Sequence, residues 1–321
     1  MEDLGEKFLQ VVIAMAIFAA VIGIIMLLVD RAPKSFRDKA TIIGFLAPAA
    51  ILLIVGMVWP ALQTTFLAFT DRDGNLTGLD NFIWMFTEPT ALVTLRNTVL
   101  WVILVPTIST IIGLVYAVFI DKAHGERVLK ALVFMPMAIS MVGAGIIWNF
   151  MYAYRGVEQE QIGLVNQILV WFGGEPRQFL LEAPGNTFFL IAVMVWIQVG
   201  FAMVILSAAI KGIPADIVEA SRLDGATAWQ QFWSITIPSI RGALVVVITT
   251  ITIITLKVFD IVRTMTAGNY DTSVIANEMY TQAFRANEPG RGAALALILF
   301  LMVLPVVIYN ARVLKKQKEI R

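Results

Sequence analysis

The sequence predicts an all-α integral membrane protein with about seven transmembrane helices, and three observations support this fold class. Of the 321 residues, 59% are hydrophobic and only 15% are charged, whereas soluble domains have about 45–50% apolar and about 25% charged residues. Seven apolar runs are each long enough to cross a hydrocarbon core of about 30 Å as a helix. Polar loops that contain most of the charged residues separate these runs.

The apolar runs are read directly from the sequence. Pro48 and Pro60 are expected to kink the second run, which is long enough for a span and an extra turn. The first run is too long for the apolar part of a signal peptide and follows an acidic start, so we expect it to be retained as a helix. In order, the runs cover residues 8–29, 40–70, 97–120, 131–154, 183–210, 242–262 and 292–311.

The composition excludes several classes of function. The chain has no cysteine, which excludes disulfides, iron–sulfur clusters and thiol catalysis. A net charge of +1 gives no basis for a nucleic-acid partner. The single His124 lies in a charged loop and is expected to be solvated rather than a metal ligand. The apolar runs offer no cluster of acids, histidines or nucleophile and base such as a membrane enzyme needs, and the absence of a G-x-x-x-x-G-K-[ST] phosphate loop excludes an ATPase of that type.

Basic residues predict the orientation of the spans. The loops on one side of the seven runs contain fifteen lysines and arginines, and the loops on the other side contain eight. The side with more basic residues is expected to be cytoplasmic. The N-terminus is therefore predicted to face outward and the C-terminus to lie in the cytoplasm.

A polar segment at residues 211–238 lies on the predicted cytoplasmic side, between the fifth and sixth runs. Pro214 suits the first position of a helix, and Glu219 falls early in that helix, where its dipole favours acids. Gly225 suits a left-handed position after the helix, and Thr227 begins a capping-box pattern. The segment is expected to form a helix, a glycine turn and a second helix. It is either a rigid knob for a partner's groove or an interfacial helix that pads the membrane surface.

The same segment resembles the EAA loop of permease subunits in binding-protein-dependent ABC importers. That pattern is E-A-A, three variable residues and G, followed further on by I-x-L-P; here the string is "EASRLDGATAWQQFWSITIP", with serine in the third position. The stretches "LAPAAILLIVGMVWPALQTTFLAFTD" and "KVFDIVRTMTAGNYDTSVIANEMYTQAF" resemble the sugar-type members, most closely the maltose and alpha-glucoside permease group of the carbohydrate uptake family. The residues that match the coupling motif are Glu219, Ala220, Ser221, Asp224 and Gly225.

The resemblance implies an ABC importer type I permease fold with one extra N-terminal helix. Residues 1–39 would form that helix and a basic cytoplasmic linker, residues 40–312 a six-helix core with the coupling loop at 211–238, and residues 313–321 a basic cytoplasmic tail. The protein would reside in the cell (inner) membrane of a prokaryote. The expected partners are two copies of an ATP-binding cassette subunit, a second homologous permease chain, an extracytoplasmic sugar-binding protein and membrane lipid.

The implied function is import of an oligosaccharide, with an alpha-glucoside such as maltose or trehalose as the expected substrate. No cofactor is expected on this chain, since ATP and Mg would bind the partner ATPase. Another sugar or a polyol phosphate remains an alternative substrate. An ion-coupled secondary transporter is the alternative from another class, but it predicts acids deep in the spans and inverted repeats. The runs contain no such acid other than Asp260, and no clear repeat.

Aromatic and polar side chains near the middle of the fifth run are candidates for a sugar pathway. Trp196 lies close to the midplane by residue count, and Gln198 and Phe201 follow it. Gly200 would allow close approach or local bending. The family resemblance places sugar contacts at Trp196, Gln198 and Phe201 and, in the sixth run, at Ile251, Ile254, Thr255 and Val258, of which only Thr255 is polar. The alternative for Trp196 is ordinary packing in the core or against lipid.

Charged residues in the sixth run are further candidates. Lys257 and Asp260 are three residues apart and would meet on one helix face, at a depth where an unpaired charge costs roughly 2.5–3.5 kcal/mol. They indicate an outer vestibule or gate, or alternatively a structural ion pair or side chains that reach the headgroups. Trp148 and Asn149 in the fourth run are weaker pathway candidates, because interfacial aromatic belts explain such a tryptophan equally well.

Overall fold

The computed structural model describes residues 2–31, 33, 37–121 and 123–319, and this part of the chain is mostly helical. It contains no β-strand; one isolated bridge joins Thr70 and Leu76. The α-helices, in chain order, are α1 (Glu2–Asp30), α2 (Arg37–Leu53), α3 (Trp59–Leu67), α4 (Asp80–Thr87), α5 (Pro89–Ile120), α6 (Glu126–Phe134), α7 (Met141–Met151), α8 (Leu164–Trp171), α9 (Gly185–Lys211), α10 (Ala215–Leu223), α11 (Ala228–Gln231), α12 (Ile237–Ser239), α13 (Arg241–Leu256), α14 (Asp260–Met265), α15 (Ile275–Tyr280) and α16 (Pro289–Glu319). Shorter turns are π-helical at Ile54–Val58, Phe232–Thr236 and Thr281–Arg285, and 3₁₀-helical at Met135–Ala138.

The helices confirm the predicted all-α membrane fold. Within the described residues, five stretches are long and apolar enough to cross a membrane, and two bent helix pairs raise the number to seven if each pair is one span. Seven is also the number of apolar runs in the sequence. The single spans are Gly5–Leu27, Thr41–Leu67, Pro89–Ile120, Gly185–Lys211 and Pro289–Val313, and the bent pairs are Glu126–Ala138 with Met141–Met151 and Ala228–Ser239 with Arg241–Leu256.

The bend in the fourth run occurs where the sequence supplies helix breakers. In the fourth run the chain turns by 102° after Pro136, and Ser140 caps the new helix by accepting a hydrogen bond from the Gly143 amide at 3.0 Å, as serine commonly does. In the sixth run, α13 ends at Leu256, before Lys257. That run is therefore shorter as a continuous helix than residues 242–262 suggested.

Prolines also mark two π-helical turns. The turn Ile54–Val58 ends two residues before Pro60, and the turn Phe232–Thr236 ends two residues before Pro238. Proline has no N–H, and its ring displaces the carbonyl four residues earlier, so the preceding turn widens. Pro60 thus distorts its helix as predicted, whereas Pro48 lies inside α2 without a break.

The described chain divides into two compact units, residues 1–66 and 67–321. In the first unit α1 packs against α2, and most described side chains are exposed. In the second unit α5, α9 and α13 form the centre of the core, with Trp101, Met194 and Ile251 fully buried or nearly so.

Glycines set the close approaches in this core. A Cβ atom on Gly113 of α5 would lie 2.5 Å from the Ala202 Cβ of α9, and a Cβ on Gly200 would lie 2.6 Å from the Val133 carbonyl oxygen. Small residues let membrane helices pack closely in this way. The expected role of Gly200 in close approach is therefore confirmed.

Candidate functional site

The segment 211–238 forms the predicted helix, glycine turn and helix. Gly225 has φ +80°, and the Ala226 amide donates to the Ser221 carbonyl at 3.0 Å, which is the bond that closes a left-handed helix end. Thr227 makes the predicted capping box with Gln230. Pro214 precedes the first helical residue instead of occupying it, because its ψ of 134° is extended. Hydrogen bonds therefore cap both helix ends at the turn, so the turn has a defined conformation.

The motif residues divide between the inside and the outside of this segment. Ser221 is buried and links the two helices, since it donates to the Val218 carbonyl at 2.8 Å and accepts from the Gln231 side chain at 2.9 Å. Glu219, Ala220, Asp224 and Gly225 are exposed. The serine at the third motif position therefore connects the two helices, and the other four motif residues are on the outside.

Two large apolar side chains beside the motif are also exposed. Leu223 is 88% exposed and Trp229 is 70% exposed. Trp229 contacts the rings of Phe232 and Trp233, with centroid distances of 6.3 and 5.6 Å. Exposed apolar groups on a polar segment are typical of an interaction surface. The sequence reasoning missed Leu223 and used Trp229 only as part of the motif.

A charge cluster anchors the start of this segment, and the sequence reasoning missed it. The Lys130 ammonium lies 2.5 Å from the Asp121 carboxylate and 2.8 Å from that of Glu126. Ser207 of α9 donates to Asp121 at 2.7 Å and accepts from Lys130, and Lys211 pairs with Glu126. We call these five residues the clamp. The i,i+4 spacing of Glu126 and Lys130 was the only local signal.

Among the pathway candidates, the structure brings Trp148 and Trp196 together. Their ring centroids are 5.6 Å apart with an edge-to-face orientation, and Trp148 also contacts Tyr152 at 5.1 Å. Tyr152 in turn packs on Phe179 and Phe189. Trp196 is half-buried. The tryptophan pair therefore belongs to a cluster of rings on α7 and α9 rather than to the lipid-facing surface alone.

The other pathway candidates near this cluster differ in burial and in the hydrogen bonds that their side chains make. Gln198 is 3% exposed, and its side-chain oxygen has no hydrogen-bond partner among the described residues. Thr255 is fully buried and donates to the Ile251 carbonyl at 2.7 Å in its own helix. Asn149 donates to the Thr264 carbonyl at 3.4 Å, and Phe201 is half-buried. Among these four residues, Gln198 is the one with a buried side-chain oxygen that lacks a hydrogen-bond partner in the described part of the chain.

The ion pair between Lys257 and Asp260, one of the alternatives that the sequence left open, does not form in the described structure. The helix ends at Leu256 and the next begins at Asp260, so the two residues do not occupy one helix face. In the described part of the chain neither side chain has an ion pair within 4.0 Å. Lys257 is exposed and Asp260 is half-buried.

Aromatic residues that the sequence reasoning did not single out lie beside these charges. The ring of Tyr280 is 5.4 Å from that of Phe259 and 5.3 Å from that of Phe284. The Arg263 guanidinium carbon lies 4.8 Å from the centre of the Tyr280 ring. Tyr280 is 20 residues from Asp260 in the sequence, so no local spacing indicated this contact.

Comparison with known proteins identifies the family. Residues 93–318 match the binding-protein-dependent transport system inner membrane component. The chain is 50% identical to the osmoprotective compounds uptake permease protein GgtC of Synechocystis sp., over 86% of this chain and 100% of that protein. It is 46% identical to the alpha-glucoside transport system permease protein AglF of Rhizobium meliloti, over 84% of this chain and 80% of that protein.

A solved structure supports the same fold. One chain of a bacterial ABC transporter involved in the import of the acidic polysaccharide alginate superposes with a TM-score of 0.74 at 22% identity, over 88% of this chain and 98% of that chain. The helix–glycine–helix segment, the membrane helices and the family match agree with one another. The chain belongs to the family of binding-protein-dependent transport system inner membrane components, the permease subunits of ABC importers.

Proposed function

We propose that this protein is the transmembrane subunit of an ATP-driven importer that carries an oligosaccharide, an alpha-glucoside such as maltose or trehalose, into the cell. The observation that carries the proposal is the braced segment 211–238, whose exposed motif residues and exposed Leu223 and Trp229 form a docking surface between α9 and α13. The named substrates of AglF, and of a trehalose/maltose permease from Thermococcus litoralis that is 28% identical, support the sugar class.

The proposal requires several partners. One of two ATPase subunits would bind the docking surface, both ATPase subunits would hold ATP and Mg, and a second permease chain would complete the transmembrane pathway. An extracytoplasmic binding protein would deliver the sugar to the face opposite the docking surface. In this proposal the N-terminus lies outside and the C-terminus lies in the cytoplasm, which the distribution of basic residues supports.

The coupling role depends on the shape of the glycine turn. A Cβ at Gly225 would meet no atom within 4 Å, so the main effect of Gly225→Val is backbone strain. A left-handed residue costs about 1–2 kcal/mol, and a β-branched side chain is especially disfavoured in that conformation. Gly74 has φ +86° and equally open space, which makes Gly74→Val a matched control.

The test measures sugar uptake and ATP hydrolysis by the complete importer in proteoliposomes. Glu219→Ala and Gly225→Val are expected to leave the protein in the membrane and to disconnect hydrolysis from uptake, whereas Gly74→Val retains both. Normal uptake by both segment variants would refute the coupling role.

Substrate choice is tested with a panel of radiolabelled maltose, trehalose and sucrose, with glycine betaine as a compound that is not a sugar. Uptake of a glucoside that requires ATP and persists with a protonophore is the expected result. Uptake that collapses with the protonophore would instead indicate an ion-coupled transporter. Trp196→Ala is expected to reduce uptake more than it reduces the amount of assembled complex, and a normal rate would remove Trp196 from the pathway.

A further inference from the structure

Three charged side chains follow one another where α13 gives way to α14. Lys257, Asp260 and Arg263 are spaced three residues apart, and in the described residues no ion pair within 4.0 Å connects any of them to each other or to another group. One guanidinium nitrogen of Arg263 is buried without a hydrogen-bond partner. Charges in a membrane-spanning chain are found with partners or beside water. These three therefore have hydrogen-bonding capacity that the described residues do not use.

An aromatic surface lies against the same charges. Tyr280 contacts Phe259 on one side and Phe284 on the other, and the Arg263 guanidinium lies over its ring. Phe284 is 75% exposed. The Tyr280 hydroxyl has no hydrogen-bond partner in the described residues. The rings are thus held in place by one another but are not enclosed, in contrast to the rings around Tyr152.

A cavity of about 530 Å³ opens beside this surface. Phe259 and Tyr280 form part of its wall, and Lys257 is the one charged residue that lines it. The remainder is apolar side chains of α15 and α16 and includes Met279 and Leu299. Its volume falls within the range of about 300–1,000 Å³ that is usual for small-molecule sites.

The charged and aromatic side chains of this region are chemically suited to a sugar. A sugar ring has C–H faces that pack on aromatic rings, and its hydroxyls both donate and accept hydrogen bonds. Asp260 accepts only, whereas Lys257 and Arg263 donate only, so together they match hydroxyl groups. The Asp260 carboxylate offers no donor to an anionic lipid headgroup, whereas a sugar hydroxyl can bond to all three side chains.

We propose that Lys257, Phe259, Asp260, Arg263, Tyr280 and Phe284 form a subsite for a neutral saccharide ring, an inference that rests on the proposed import of an oligosaccharide. The subsite lies at the end of α13 that is remote from the segment 211–238, about 24 Å along a helix of 16 residues. Among the described residues, no ring contact joins Phe259, Tyr280 or Phe284 to the Trp148–Trp196 cluster. The subsite holds a ring at the end of the pathway opposite the docking surface.

The test uses the absence of native cysteine. Phe284→Cys and Tyr280→Cys each give this chain a single thiol in the proposed subsite, and Phe86→Cys gives a control thiol at another exposed phenylalanine, 58% exposed on α4. The complete importer is reconstituted with its binding protein and ATP. Alkylation of this chain by N-ethylmaleimide is followed by mass spectrometry, with and without maltose or trehalose.

We expect sugar to slow alkylation at positions 280 and 284 by about threefold at roughly twice the Kd, since protection grows as 1 + [L]/Kd, and to leave position 86 unchanged. No protection in an importer that transports the sugar overturns the subsite while the proposed function stands. Equal protection at all three positions, or protection by phosphatidylglycerol but not by sugar, also overturns it. A wild-type complex that imports neither sugar rejects the proposed function itself.

Discussion

Two charged regions of this chain differ in how they find partners. In the clamp, every acid has a cation within 4.0 Å: Lys130 bridges Asp121 and Glu126, and Lys211 approaches both. At the end of α13, Lys257 and Asp260 are near in sequence but have no ion pair within 4.0 Å among the described residues. The comparison shows that closeness in sequence does not determine pairing. The clamp pairs because three elements converge on it.

The difference has an energetic consequence. Asp121 has a side chain only 11% exposed, so its charge depends on the lysine, and removing one partner of such a pair leaves the other charge uncompensated. The charges near α14 stay partly exposed to their surroundings. The clamp therefore acts as structure that connects α5, α6 and α9 at the start of the segment 211–238, whereas the second region has groups available for a ligand.

The largest effect is predicted for the clamp. Lys130→Ala removes the contacts to Asp121, Glu126 and Ser207 together. We expect uptake to fall about tenfold or more, because the poorly exposed Asp121 carboxylate keeps only the Lys211 ammonium, 3.9 Å away, as a cation among the described residues. Uptake per assembled complex and thermal unfolding of the detergent-solubilised importer are the measurements. Lys130→Arg, which keeps the charge, should retain most of the activity.

A double-mutant cycle sharpens this prediction. Asp121→Ala combined with Lys130→Ala should be less harmful than the two single losses added together, because the double variant leaves no uncompensated charge at that contact. If the two losses add strictly, Asp121 and Lys130 act independently. The clamp would then not differ from Lys257 and Asp260 in the coupling of its charges.

A smaller effect is predicted for Lys257 and Asp260, and here the losses from the two single variants should add. Lys257→Ala and Asp260→Ala should each lower sugar uptake by about threefold, corresponding to one hydrogen bond of roughly 0.5–1.5 kcal/mol, and the double variant should show the sum of the two free-energy losses. Uptake at saturating binding protein measures this. If the double variant takes up sugar faster than Lys257→Ala alone, the two residues form an ion pair in the working importer, as the sequence suggested.

Most of the fold follows from the sequence, since apolar length determines a membrane helix and glycine, serine and proline determine where it ends. The turn at Gly225 and the capping box at Thr227 were predictable for this reason, because each depends on neighbours within a few residues. The break after Leu256 was not, since the run through residues 257–262 is still largely apolar and no proline or glycine interrupts it.

The candidate sites were less predictable, because their contacts are distant in sequence. The bond from Ser207 to Asp121 spans 86 residues, and the ring of Tyr280 meets Phe259 only after the loop between α14 and α15 folds back. That loop is held by side-chain amides from other helices: Asn97 donates to the Asp271 carbonyl and Asn186 to the Tyr270 carbonyl. No spacing rule within one helix contains such information.

The smallest effect is predicted for the Tyr280 hydroxyl, and it gives the most specific test of the second region. Tyr280→Phe keeps the ring contacts to Phe259 and Phe284 and removes only one hydroxyl, so uptake should fall about twofold, the lower end of what a hydrogen bond contributes, with no change in thermal unfolding. Tyr309→Phe on α16, where the tyrosine is exposed, should change neither. Because this hydroxyl bonds nothing within the described chain, a change in uptake without a change in stability would place its partner on the transported molecule, whereas a loss of stability would assign Tyr280 to packing like the rings around Tyr152.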